Sequence, residues 1–169
     1  MIPRSAASTL SRLARGFPVL ALTGPRQSGK TTLARATFPH KPYLSLEDPD
    51  VRQLAESDPR GLLARFQEGA VLDEVQRAPG LFSYLQTQVD GDPRPGAWVL
   101  TGSQQFGRFS GMTQSLAGRV GLVQLLPFTL AELREAGRLD PDLDGVLAKG
   151  GYLPCSTGTW TRGIGLAPT

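Results

Sequence analysis

The octapeptide Gly24-Pro25-Arg26-Gln27-Ser28-Gly29-Lys30-Thr31 stands between an apolar run, Phe17 to Thr23, and a helix-forming stretch that Pro39 stops after Phe38. Glycine, four residues, then Gly-Lys-Thr is the spacing of a phosphate-binding loop. Each part has a chemical reason. A glycine-rich backbone lets successive N–H groups curl around phosphate oxygens, and the following helix turns its positive end toward them. Lys30 is placed to reach the β and γ phosphates, and the Thr31 hydroxyl to ligate Mg²⁺. The candidate nucleotide-binding positions are Gly24, Pro25, Arg26, Gln27, Ser28, Gly29, Lys30, Thr31 and Thr32.

Outward from the loop, Phe17 to Thr23 shows little polar alternation, as a strand buried on both faces would. Similar short runs recur at Tyr43 to Leu46, Ala70 to Leu72, Ala97 to Leu100 and Val120 to Leu125. Helices are predicted between them over Lys30 to Phe38, Asp50 to Glu56 and Arg60 to Gln67. A further one opens at Pro79, with Leu81, Leu85 and Val89 on one face. Ser8 to Arg15 reads as a lead-in helix with Ser8 as its N-cap. Thr129 to Ala136 reads as a helix with Glu132 at the capping-box position. Buried strands alternating with helices predict an α/β fold, its mostly parallel sheet covered on both faces.

The strand ends carry the remaining candidate chemistry. Asp73 and Glu74 close the third apolar run, at the sheet edge where open α/β folds bind ligands. Asp73 is the candidate to hold magnesium with Thr31, directly or through water, and Glu74 the candidate base that polarises an attacking water. An acid adjacent to the metal position favours hydrolysis over group transfer. Thr101 and Ser103, after the fourth run, are candidates to contact the γ-phosphate or the lytic water, with Gln104 beside them; a β-turn explains Thr-Gly-Ser equally well. Arg119 is a candidate to supply positive charge, in cis or across a subunit boundary. His40, Cys155 and Trp98 carry no catalytic pattern.

Composition bounds the rest. The chain has 169 residues, 40% of them hydrophobic, enough for one domain with a real core. One cysteine and one histidine exclude a disulfide framework and a multi-histidine metal centre. No apolar run approaches the roughly 18 residues of a membrane span, so a cytoplasmic protein with no membrane partner is expected. Residues 1–46 hold seven basic side chains and no acid. That asymmetry suits a phosphate ligand or, as a weaker alternative, nucleic acid.

Further blocks extend the motif. Leu22 to Leu33, Tyr43 to Asp48, Leu72 to Arg77, Leu100 to Gln104, Ser115 to Arg119 and Leu126 to Leu133 occur in the order found in a family of prokaryotic AAA+-type ATPases, which this chain resembles over roughly residues 8–136. The resemblance implies an additional-strand P-loop NTPase, a three-layer sandwich whose five-stranded sheet has the order 5-1-4-3-2. It implies ATP and Mg²⁺ as cofactors, with Lys30 and Thr31 at nucleotide-binding positions. It also implies Asp73 and Glu74 as the metal and water-activating acids, Ser103 as the polar sensor, and Arg119 at the family's arginine.

The expected organisation is a lead-in helix over 1–16, the ATPase core over 17–136, a short helical segment over 137–149 and an irregular tail over 150–169. Five glycines, five Ser/Thr and no acid distinguish that tail, where the family pattern is lost as in a frameshifted or truncated gene. Two functions compete: an ATPase module whose target, protein or nucleic acid, is unspecified and which self-associates, or a non-catalytic, degenerate nucleotide-binding fragment. Truncation would impair turnover more than binding.

Overall fold

The computed structural model describes residues 2–103 and 115–138. Gln104, Cys155, the tail over 150–169 and nearly all of the expected 137–149 segment lie outside the described residues.

Five strands form one sheet: β1 (Val19–Gly24), β2 (Tyr43–Ser45), β3 (Val71–Asp73), β4 (Trp98–Ser103) and β5 (Val120–Gln124). Their order is β2-β3-β4-β1-β5, the predicted order, and all four pairings are parallel. Every residue of β1 is buried. Its side chains alternate strictly between two cores, Val19 and Ala21 on one face and Leu20 and Leu22 on the other. The near-continuous apolar run therefore reflects a strand covered on both sides.

The first face is covered by α3 (Pro49–Ser57), α4 (Pro59–Ala64) and α5 (Leu81–Gly91), through Ala55, Leu62, Leu63, Leu81, Leu85 and Val89. The second is covered by α1 (Ala6–Leu13) and α2 (Lys30–Thr37), through Leu10, Leu33 and Ala34. The result is the expected three-layer sandwich. A further helix, α6 (Leu130–Glu135), follows β5.

Local chemistry adjusts the predicted boundaries. α3 and α4 start one residue earlier than expected, because Pro49 and Pro59 occupy first helical positions where no N–H is needed. Asp48 and Asp58 cap them, accepting from the amides of Asp50 and Gly61. α5 begins at Leu81, later than the predicted opening at Pro79. α6 carries the anticipated capping box between Thr129 and Glu132. Ser8 is not the cap of α1: that helix begins at Ala6, and the Ser8 hydroxyl donates to the Ser5 carbonyl.

β4 does not turn at Thr-Gly-Ser. It continues through Ser103, which pairs with Gly24. The C-terminal ends of β1, β3 and β4 thereby lie side by side along one sheet edge. Gly24 sits against the end of β5, where the Leu125 amide donates to the Thr23 carbonyl at 2.6 Å, and a Cβ on Gly24 would run into the Leu125 carbonyl oxygen. Gly24→Ala is expected to destabilise the ligand-free protein by about 1–3 kcal/mol, the usual range for forced overpacking. Urea denaturation checks this; an unchanged midpoint would refute the close approach.

Candidate functional site

The loop between β1 and α2 closes on itself. Lys30 Nζ donates to the Pro25 carbonyl at 2.8 Å, and the Ser28 hydroxyl donates to the same oxygen at 2.9 Å. Two loop residues have left-handed backbones, Gly29 at φ 89° and Gln27 at φ 62°. Gly29 is the N-cap of α2 and offers no side chain, so the capping position stays open to a ligand. Lys30 is buried, which lowers its pKa, while the nearby carboxylates of Glu74 and Asp73 raise it and Arg26 lowers it. Arg26, Gln27 and Thr32 are exposed around the loop, and Pro25 is half-buried.

Asp73 is the junction of the site. Its Oδ1 accepts from the Thr31 hydroxyl at 2.9 Å and from the Thr101 hydroxyl. Its Oδ2 accepts from the Tyr43 phenol at 2.8 Å. One carboxylate therefore receives hydroxyls from α2, β4 and β2. Burial, and then the bond to Asp73, push the Tyr43 phenol up to about 12, so it stays a donor at neutral pH. The Arg35 guanidinium lies 4.9 Å from the centre of the Tyr43 ring.

Glu74 follows in a left-handed conformation, φ 55° and ψ 45°, and initiates a 3-10 turn over Val75–Arg77. This backbone costs a non-glycine residue about 1–2 kcal/mol, and such strain concentrates at functional sites. Two contacts hold it: the Glu74 amide donates to Thr101 Oγ1 at 3.4 Å, and the Gln76 amide nitrogen donates to Glu74 Oε2. The same Gln76 nitrogen lies 3.3 Å from Ser103 Oγ, while Gln76 Oε1 is buried without a hydrogen-bond partner among the described residues.

Thus the loop, Asp73, Glu74, Thr101 and Ser103 come together. Arg119 does not join them within the chain. Its carbonyl accepts from the Val19 amide at the start of β1, and its guanidinium is paired with Asp90. At about 3.3 Å per residue, the length of β1 puts it roughly 16 Å from the loop along the sheet.

The basic N-terminal segment is largely committed. Lys30 lies within the loop, Arg35 stacks on Tyr43, and Lys41 donates to the Glu68 carbonyl. Arg4 is 9% exposed in its side chain and ion-paired with Glu132. Arg12, Arg15 and Arg26 remain exposed, as does His40. Trp98 is buried in the core.

A family model described as an AAA domain matches residues 16–134. The chain belongs to that family. Two uncharacterized proteins, from Mycobacterium tuberculosis and Mycobacterium bovis, are each 36% identical to this AAA protein over 157 residues. The match covers 91% of the chain but 34% of each relative, so the chain spans about one third of their length. Among solved structures, a Walker-type ATPase of Pyrococcus abyssi superposes with a TM-score of 0.56 at 17% identity. That superposition covers 88% of this chain and 63% of the other, and it is a likeness of fold. Among the described residues, no helix is long and apolar enough to cross a membrane.

The sequence did not single out Arg4, Tyr43 or Gln76. Tyr43 fits a strand and Gln76 a motif block; no local signal marks Arg4, whose partners lie 24 to 128 positions away. The spacing around Glu132 marks it as a cap. It also accepts from the Ser5 amide and hydroxyl and from Arg4 Nε. Burial opposes its charge, but bonds from the Thr129 and Ser5 amides and the Ser5 hydroxyl, with the Arg4 charge, hold its pKa near 2. A depressed carboxylate pKa stabilises the fold above the unfolded value of 4.5 and ceases to do so as pH falls toward 2. The stability difference between wild type and Glu132→Gln should therefore shrink across that window, by on the order of 3 kcal/mol. Denaturation at stepped pH checks the sign; a constant difference would contradict it.

Proposed function

We propose that this AAA protein binds Mg²⁺·ATP at the β1–α2 loop and hydrolyses it to ADP and phosphate. The observation that carries the reading is the convergence on Asp73: the Thr31 hydroxyl stands 2.9 Å from its carboxylate, with Glu74 next in the chain.

The donor set suits magnesium. Thr31 and Asp73 offer hard oxygens in contact across the head of the loop, and among the described residues no group of three or more His, Cys, Asp or Glu side chains competes for a metal. Mg²⁺ is held in such sites by one or two protein oxygens, with water and phosphate completing the shell. When bound, it would neutralise charge on the β and γ phosphates. The loop amides and the open end of α2 bind the phosphates, and Lys30 exchanges the Pro25 carbonyl for a phosphate oxygen. Exposure of the Pro25 carbonyl to Ser28 alone would then accompany occupancy. Glu74 accepts the proton of the attacking water, and Gln76 holds that carboxylate on the Ser103 side of the site. Arg119 lies too far along the sheet to help in the same chain, so a charge role for it requires a second copy. Cytoplasmic location and an unspecified target complete the reading.

Titration with a fluorescent ATP analogue and Mg²⁺ tests the site. Saturable binding by wild type and its loss in Lys30→Ala are expected; a folded wild type that binds nothing would overturn the assignment. Glu74→Gln should retain binding and lose hydrolysis by about 100-fold or more, the range for a removed general base. Equal turnover in wild type and Glu74→Gln would remove Glu74 from the chemistry. Arg119→Ala should leave nucleotide affinity of the monomeric protein unchanged.

A further inference from the structure

We propose that Arg4 is a positioning residue that sets the orientation of the Ser28–Gly29 peptide in the phosphate loop and ties that loop to the segment entering α6. The consequence for ligand affinity rests on the nucleotide-binding reading above; the mechanical tie does not.

Arg4 lies ahead of α1, yet its guanidinium reaches three other parts of the chain. Nη1 donates to the Ser28 carbonyl at 2.9 Å, Nη2 to the Leu126 carbonyl at 2.5 Å, and Nε to Glu132 Oε1 at 3.2 Å. The Pro127 carbonyl stands 3.5 Å from Nη2, and the group lies 4.2 Å from the centre of the Phe128 ring. The side chains of Arg4 and Glu132 are only 9% and 8% exposed. A planar fork with donors on all three nitrogens satisfies these acceptors together, which a lysine with one ammonium cannot reproduce.

In a trans peptide the C=O and N–H point in opposite directions. Holding the Ser28 carbonyl against Arg4 therefore directs the Gly29 N–H away from it. Gly29 has a left-handed backbone and caps α2 without a side chain, so few local constraints would otherwise choose that peptide's orientation. A cation on the carbonyl also polarises the peptide and strengthens its N–H as a donor. Glu132 completes the tie: its carboxylate binds Arg4 and Ser5 through Oε1 and the Thr129 amide through Oε2. A change in the loop that moves Ser28 is thus passed to residues 126–132, and a displacement of α6 is passed back by the same bonds.

Hydrogen exchange on the nucleotide-free full chain tests this with wild type, Arg4→Ala and Arg4→Lys. Both variants should exchange about tenfold faster in peptides covering 24–31 and 126–132, as for local opening, with β3 and β4 unchanged. Arg4→Lys should also weaken the fluorescent ATP analogue about tenfold, within the usual span of a coupling between sites, while its melting temperature stays near that of wild type. Wild-type protection of both segments in Arg4→Lys would overturn the proposal, whether or not Arg4→Ala folds. So would faster exchange of the whole domain in Arg4→Ala that lysine restores, since charge or bulk alone would then explain Arg4. If wild type binds no nucleotide, the hydrolysis reading fails, and the exchange rates still decide the tie.

Discussion

The Asp73 carboxylate is the constraint around which the site is arranged. Three hydroxyls from three elements, Thr31, Thr101 and Tyr43, converge on its two oxygens. They can do so because the strands are parallel, so that the ends of β3 and β4 lie beside the head of α2 and Tyr43 of β2 shares their face of the sheet. Asp73 extends β3 by one residue past the Leu72–Leu100 pair, which sets it beside Thr101. Ser45 pairs with Asp73 in the same register, which sets Tyr43, two residues earlier, on its face of the sheet. A slip of one residue in either pairing would turn the carboxylate toward the other face and disperse the cluster.

The surrounding core serves that register. The alternation of Val19 and Ala21 against Leu20 and Leu22 gives each face of β1 its own helical cover, so neither face can exchange with solvent without exposing leucine. Burying one such side chain contributes about 1.5–3 kcal/mol, comparable to the cost of the strained backbone at Glu74. The apolar layers are thus large enough to hold a polar edge that would not hold itself. Gln76 belongs to the same edge, bound to Glu74 and near Ser103, its amide oxygen without a partner among the described residues.

Much of this was legible in the sequence, and the division follows the range of the interactions. The loop motif, the buried strands and the capping box at Thr129 depend on neighbours within a few residues, and each stood in the chain as a pattern. Sheet order was not encoded in any single segment; it came from the family resemblance. Tyr43 and Arg4 escaped because a hydroxyl or guanidinium that finds its acceptor 30 or 128 positions away leaves no spacing to read. The ambiguity at Thr101-Gly102-Ser103 was likewise non-local: the same three residues suit a turn, and pairing with β1 makes them strand. Arg119 is non-local in another way: its motif leaves open a role in cis or across a subunit boundary, and the direction of β5 places it at the far end of the sheet from the loop of its own chain.

The left-handed backbone of Glu74 also bears on how such a protein could be made hardier. The residue that tolerates φ 55° best is glycine, which carries no carboxylate. Selection for heat resistance alone would be drawn to this position, because relaxing the backbone there would remove about 1–2 kcal/mol of strain. It would return a sturdier molecule without the Glu74 carboxylate, so thermal screens of this fold need a companion assay of the proposed hydrolysis.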